Sequence, residues 1–133
     1  LLSTEQGKNW ILTTLVSEVA LSYYNLLALD AELLTIKKNL NLQQIGLNTI
    51  QELKIGGEAN ELAVKQFEAQ FLDTKSLEIV KEQEIISQEN YLNSLLGRYP
   101  QPIKRGISIG EQSVPSRVAV GVPSQLITRR PDI

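Results

Sequence analysis

The chain has 133 residues and no Cys, His or Met, which removes disulfides, thiolate and imidazole chemistry and the usual zinc ligands. Its net charge of −2 is uneven, about −1 over residues 1–57, −5 over 58–96 and +4 over 97–133, and the acidic middle argues against a nucleic-acid groove. No uninterrupted apolar run approaches the roughly 18–20 residues of a membrane span, nothing at the start resembles a signal peptide, and a chain without Met is expected to be a processed or excised piece.

In chain order, the first long segment runs to about residue 54. Leu12, Val16, Val19, Tyr23 and Leu26 step by four and three, and the series resumes at Leu29, Leu33, Ile36 and Leu40, then Leu47 and Ile50. This is a seven-residue coiled-coil rhythm with a one-residue slip after Leu26. Between Asn9 and Leu29 the only charge is Glu18. A helix so apolar around its circumference needs more than one neighbour, so burial between helices is expected of Leu12, Val16, Val19, Tyr23, Leu26 and Leu29. Asn41 to Gln51 is uncharged and rich in amides, fitting packed polar contacts, a wetted lumen or an ordinary polar helix face.

Gly56-Gly57 marks a turn over 55–59. One of the two glycines is expected to take the left-handed conformation that ends a helix, with Asn60 as the cap of the next. No strand precedes the pair and no Gly-Lys-Ser/Thr follows it, so it is not a phosphate loop. The second helix is predicted over about 60–96. Its apolar residues, from Leu62 and Val64 through Phe67, Phe71, Ile79 and Ile85 to Leu95, wander around the helix. Its charges read as surface pairs. Glu82 and Glu84, two residues apart, point to different sides and cannot share a substrate, and no other grouping suggests an enzyme.

Gly97 and Pro100 stop the second helix. All five prolines lie beyond residue 99, so 98–133 is predicted to be an irregular linker, with a short helical turn after Ser124 and a helix opening at Pro131-Asp132. The fold class is therefore all-α, a long antiparallel hairpin over 1–97 followed by the linker.

Four blocks carry a resemblance. They are Val19 to Asp30, the tip from Gly57 to Gln66, Leu95-Leu96-Gly97-Arg98-Tyr99-Pro100, and Val122 to Leu126 followed by Arg129-Arg130-Pro131-Asp132-Ile133. In this order and spacing the chain resembles the TolC-like outer-membrane efflux proteins, the branch with OprM- and CusC-type channels. The resemblance implies a homotrimer of two-repeat subunits, anchored by a β-barrel and in some members a lipid, with helical hairpins forming a periplasmic tunnel. This chain is similar to the first-repeat hairpin and its linker. It implies a passive conduit for drugs or metal ions, without cofactor or catalytic residues. The partners implied are a periplasmic membrane-fusion adaptor and an inner-membrane pump, and no nucleic acid. Membrane contact would be made only through segments outside this stretch.

By position, the adaptor-docking tip would comprise Lys54, Gly56, Gly57, Glu58, Asn60, Glu61, Leu62 and Gln66. The sequence departs from the pattern at Leu53-Lys54, where many members have Arg-Tyr, at Ala63, where Asp is frequent, and at Phe67, where a small residue is usual. A hairpin of the adaptor itself would require flanking lipoyl-like β halves. A purely structural coiled-coil module would lack a second copy of the pattern. In isolation the apolar first helix is expected to drive self-association.

Overall fold

The structure, a computed structural model, describes residues 2–113. Pro115, Ser124, the Val122 block and the Arg129 to Ile133 ending lie outside the described residues. Two helices account for most of the chain: α1 is Leu2–Ile55 (54 residues) and α2 is Glu61–Leu95 (35 residues). At 1.5 Å per residue they are about 81 Å and about 52 Å long. They run antiparallel, linked at successive levels by Lys81 to Glu32 (3.0 Å), Gln88 to Ser22 (2.8 Å) and Tyr91 to Glu18. Extending that stagger sets the end of α2 level with about residue 14 of α1, so the start of α1 overhangs its partner.

A seam of buried and half-buried residues runs along α1 through Val19, Ser22, Leu26, Leu29, Leu33, Ile36, Leu40, Gln43, Leu47 and Ile50, flanked by other covered positions such as Leu15, the buried Leu27, Ala28 and Ala31. The seam positions step by three and four without a break, so the expected slip after Leu26 does not occur. Ser22, which is buried and hydrogen-bonded to Gln88, holds the seam position. The larger Tyr23 beside it is half-buried and packs against the core from the flank. Reading apolar residues alone had shifted the register by one.

The seam of α2 is equally regular: Val64, Phe67, Phe71, Thr74, Glu78, Lys81, Ile85, Gln88, Leu92 and Leu95, all but Phe67 buried or half-buried. The apolar residues wander because Thr74, Glu78, Lys81 and Gln88 hold seam positions. Their aliphatic stems cover the groove while their ends reach partners at its edge: Glu78 lies 3.7 Å from Lys37, and Lys81 bonds Glu32 and Glu84. Phe67 lies over Gly46, where an added Cβ would sit 3.3 Å from the ring. The glycine in mid-helix, which costs about 0.5–1 kcal/mol relative to Ala, makes room for it.

The main apolar cluster lies at the end away from the turn. Leu26, Ile85, Leu92 and Ile103 form it, with Tyr23, Leu29 and Leu33 packed around them. Ile103 belongs to neither helix: residues 98–108 leave α2 at Gly97, run back over both helices, and reach a single 3₁₀ turn at Ile109–Glu111. An 18-residue window of α1 is long and apolar enough, by length and composition, to cross a membrane, although polar residues such as Asn25 interrupt its apolar runs. Within the hairpin it meets Gln88 and the docked strap.

Candidate functional site

The tip is closed by backbone geometry. Glu58 N–H donates to Leu53 C=O (2.9 Å) and Gly57 N–H to Lys54 C=O (3.0 Å), the paired bonds of a Schellman motif. The motif requires a left-handed residue, and Gly57 supplies it with φ +82°. Gly56 stays in the helical turn, its N–H donating to Glu52 C=O (3.0 Å). Asn60, extended at φ −96° and ψ 164°, caps α2 by accepting from Ala63 N–H (2.8 Å). Lys54 and Glu61 form an ion pair across the turn. The Lys54 hydrogen bond, then its charge, hold the Glu61 carboxyl below the usual range.

These contacts bring Lys54, Gly56, Gly57, Glu58, Asn60 and Glu61 into one turn, with Leu62 and Gln66 exposed on the first turns of α2. Leu53 and Ile55 join them at the surface, Ile55 at 87 % exposure. Neither is among the docking residues expected by position. The available signal was an isoleucine placed directly before two glycines, where the ending helix offers nothing to cover it.

The residues expected to pack between helices divide into two groups. Leu26 is fully buried, and Val19, Tyr23 and Leu29 are half-buried. Leu12 and Val16 are 47 % and 68 % exposed: Leu12 lies beyond the end of α2, and Val16 lies off the seam, whose position there is the half-buried Leu15. Trp10, Ile11, Leu21 and Tyr24 are exposed on the same stretch.

A second cluster, absent from the sequence reading, lies at the far end. Arg105 Nε donates to Asp30 of α1 (2.8 Å), while its Nη1 bonds Glu89 of α2 and the carbonyl of Ile103 (2.6 Å). Glu89 also accepts from Ile103 N–H (3.0 Å). Burial opposes ionisation of Glu89, yet these hydrogen bonds and the Arg105 charge outweigh it and hold the carboxyl below the usual range. The Asp30 bond and the Glu89 contacts push the Arg105 guanidinium above its ordinary value, against the effect of burial. Buried Asn93 accepts from Arg98 (2.7 Å) and donates to Gln101 C=O (2.7 Å), and Tyr23 Oη accepts from Gly106 N–H (2.9 Å). Among the described residues no group of three or more His, Cys, Asp or Glu is placed to hold a metal ion.

An antiparallel hairpin with this tip and strap is the structural class, and the proteins similar along its whole length include a cation efflux system protein and a probable outer membrane lipoprotein. Over 134 residues the chain is 31 % identical to the cation efflux system protein CusC of Escherichia coli O6:H1, covering 99 % of this chain and 29 % of that protein. The figures are the same for CusC of Escherichia coli K12. The probable outer membrane lipoprotein SilC of Salmonella typhimurium is 26 % identical over 132 residues, 98 % of this chain and 28 % of its own length. The chain is thus similar to one segment of CusC and SilC, spanning less than a third of the length of the relatives it matches. No family model and no solved structure matches it.

Proposed function

We propose that this hairpin is a wall segment of the periplasmic tunnel in an outer-membrane efflux channel, with its tip docking on a periplasmic adaptor. The observation that carries the reading is a second apolar stripe on each helix. On α1, Leu21, Tyr24, Leu42 and Ile45 are exposed, as are Leu62, Leu72, Ile79 and Ile86 on α2. At about 100° per residue these positions are turned from the seam by roughly 130° or more. Each helix therefore has one neighbour inside the hairpin and an apolar surface for another outside it. Helices with two neighbours each build a continuous wall, whereas an isolated two-helix rod needs a single stripe.

The cargo follows from the relatives: CusC is a cation efflux system protein by name, and metal ions are the cargo proposed here. The subunit acts as a passive conduit in a homotrimer, placed in the outer membrane with this segment in the periplasm. An inner-membrane pump supplies the energy. The exposed apolar groups at the tip, Leu53, Ile55 and Leu62, are the contact surface offered to the adaptor, framed by the Lys54–Glu61 pair.

The test places a charge on each outer stripe of the intact protein. Leu42→Glu and Ile79→Glu are expected to abolish assembly and to make a metal-challenged strain sensitive. Asn39→Glu, on the flank between seam and stripe, is expected to leave both unchanged. Wild-type assembly and resistance with both stripe variants would refute the tunnel-wall reading.

A further inference from the structure

The hairpin is held very differently along its length. At the strap end its seam is apolar apart from the hydrogen-bonded Ser22–Gln88 pair, and it is capped by Ile103, 8 % exposed, from a third segment. Arg105 there joins Asp30 of α1 to Glu89 of α2, so one side chain spans both helices. Its guanidinium is a planar fork that fixes direction as well as distance, which a lysine cannot do. Backbone bonds from Ile103 to Glu89 and from Gly106 to Tyr23 fix the strap at two more points, one on each helix. The middle of the hairpin has no such layer. Its α1 seam is apolar, with Leu33, Ile36 and Leu40, but the facing α2 positions are Thr74, Glu78 and Lys81, and the links to Lys37 and Glu32 are ion pairs with at least one solvent-exposed partner each, a weak class of interaction.

We infer that residues 98–106 form a clasp, pinned by Arg105, that sets the spacing and rotation of α1 and α2 at the end remote from the tip and leaves compliance to the polar-seamed middle. The residues read as a linker are then a working part of the helical unit. Displacements imposed at the tip are absorbed around residues 34–44 and 74–84 and do not reach the clasped end. The inference stands on the hairpin's own contacts and does not depend on what the tip binds.

Hydrogen exchange on the intact protein tests it, comparing wild type with Arg105→Ala and Arg105→Lys. In wild type, amides of 22–33 and 85–93 are expected to exchange at least tenfold more slowly than those of 34–44 and 74–84. Arg105→Ala is expected to accelerate exchange in 22–33 and 85–93 at least tenfold, with the tip, 50–66, within twofold of wild type. Arg105→Lys, which keeps the charge and loses the fork, should fall between them. Should Arg105→Ala fail to fold, the lysine variant alone carries the comparison. Unchanged exchange near the clasp in the folded variants, or acceleration spread equally to the tip, would overturn the proposal. A middle as protected as the clasped end in wild type would overturn the assignment of compliance.

Discussion

Replacing Gly57 separates the conformation of the tip from its volume. At φ +82° an L-residue carries a penalty of about 1–2 kcal/mol, yet no atom lies within 4 Å of where its Cβ would be. Gly57→Val therefore strains the backbone without a clash. The strain is relieved by opening the two Schellman bonds, which disfavours the closed tip by about 5- to 30-fold. Gly57→Asn puts a side chain of comparable size at the same place, but Asn tolerates the left-handed region, so its loss is expected to be less than half as large. Gly97 is the control: it has φ +64°, open surroundings and an equivalent pair of cap bonds, to Ser94 and from Arg98 to Asn93. It lies about 50 Å from the tip along α2. Urea unfolding is expected to show similar stability losses for Gly57→Val and Gly97→Val. Metal resistance in a complemented strain should fall with Gly57→Val alone, at normal outer-membrane abundance. Equal resistance in both valine variants, or Gly57→Asn as defective as Gly57→Val, would refute the reasoning.

Other substitutions address packing and charge. Leu26→Ala empties a fully buried position and should cost about 3–5 kcal/mol in urea unfolding. Val16→Ala should change the isolated chain by less than about 0.5 kcal/mol and lower the stability of the assembled protein, where its surface is covered. Asn60→Ala removes the cap on Ala63 N–H and should cost about 1 kcal/mol. The folded-state pKa of Glu89 is depressed, so its contribution is complete above the unfolded value near 4.5 and is lost as pH falls through the lower folded value. Wild type should thus lose stability as pH falls below about 4.5, more steeply than Glu89→Gln, as read by urea midpoints. In sedimentation equilibrium at tens of micromolar, the isolated chain should self-associate through its outer stripes, and a clean monomer would count against them.

How far the sequence carried the fold depends on what each residue does. The two helices, the turn at Gly56-Gly57 and the Asn60 cap were legible because helix stops and caps are local chemistry. The α2 seam was illegible because Glu78, Lys81 and Gln88 fill it with their stems, and a pattern of apolar letters does not register them. Ser22 was passed over for Tyr23 for the same reason, since burial there follows from a hydrogen bond to Gln88. The clasp was hidden further still: Ile103 and Arg105 stand among prolines and glycines with no period, and their partners Asp30 and Glu89 are 75 and 16 residues away. At the tip, position in the resemblance named the turn residues, while the exposed Leu53 and Ile55 emerged only when the ending helix left them uncovered.

The unbroken three-four register of both seams carries a geometric consequence. A contact that repeats every 3.5 residues, on helices that turn every 3.6, stays in contact only by winding left-handed, at about 150 Å per turn for two strands. Over the roughly 52 Å of α2 the pair rotates by about 125° on that pitch. The side of α1 that holds Tyr23 and Asp30 under the clasp has therefore swung about a fifth of the way round by the time it reaches Gln44 and Gln51 near the tip. Two residues with the same place in the heptad look in different directions at the two ends. Any helix lying against either edge must follow the same spiral, so a wall made of such hairpins is twisted like a rope and not assembled from straight staves.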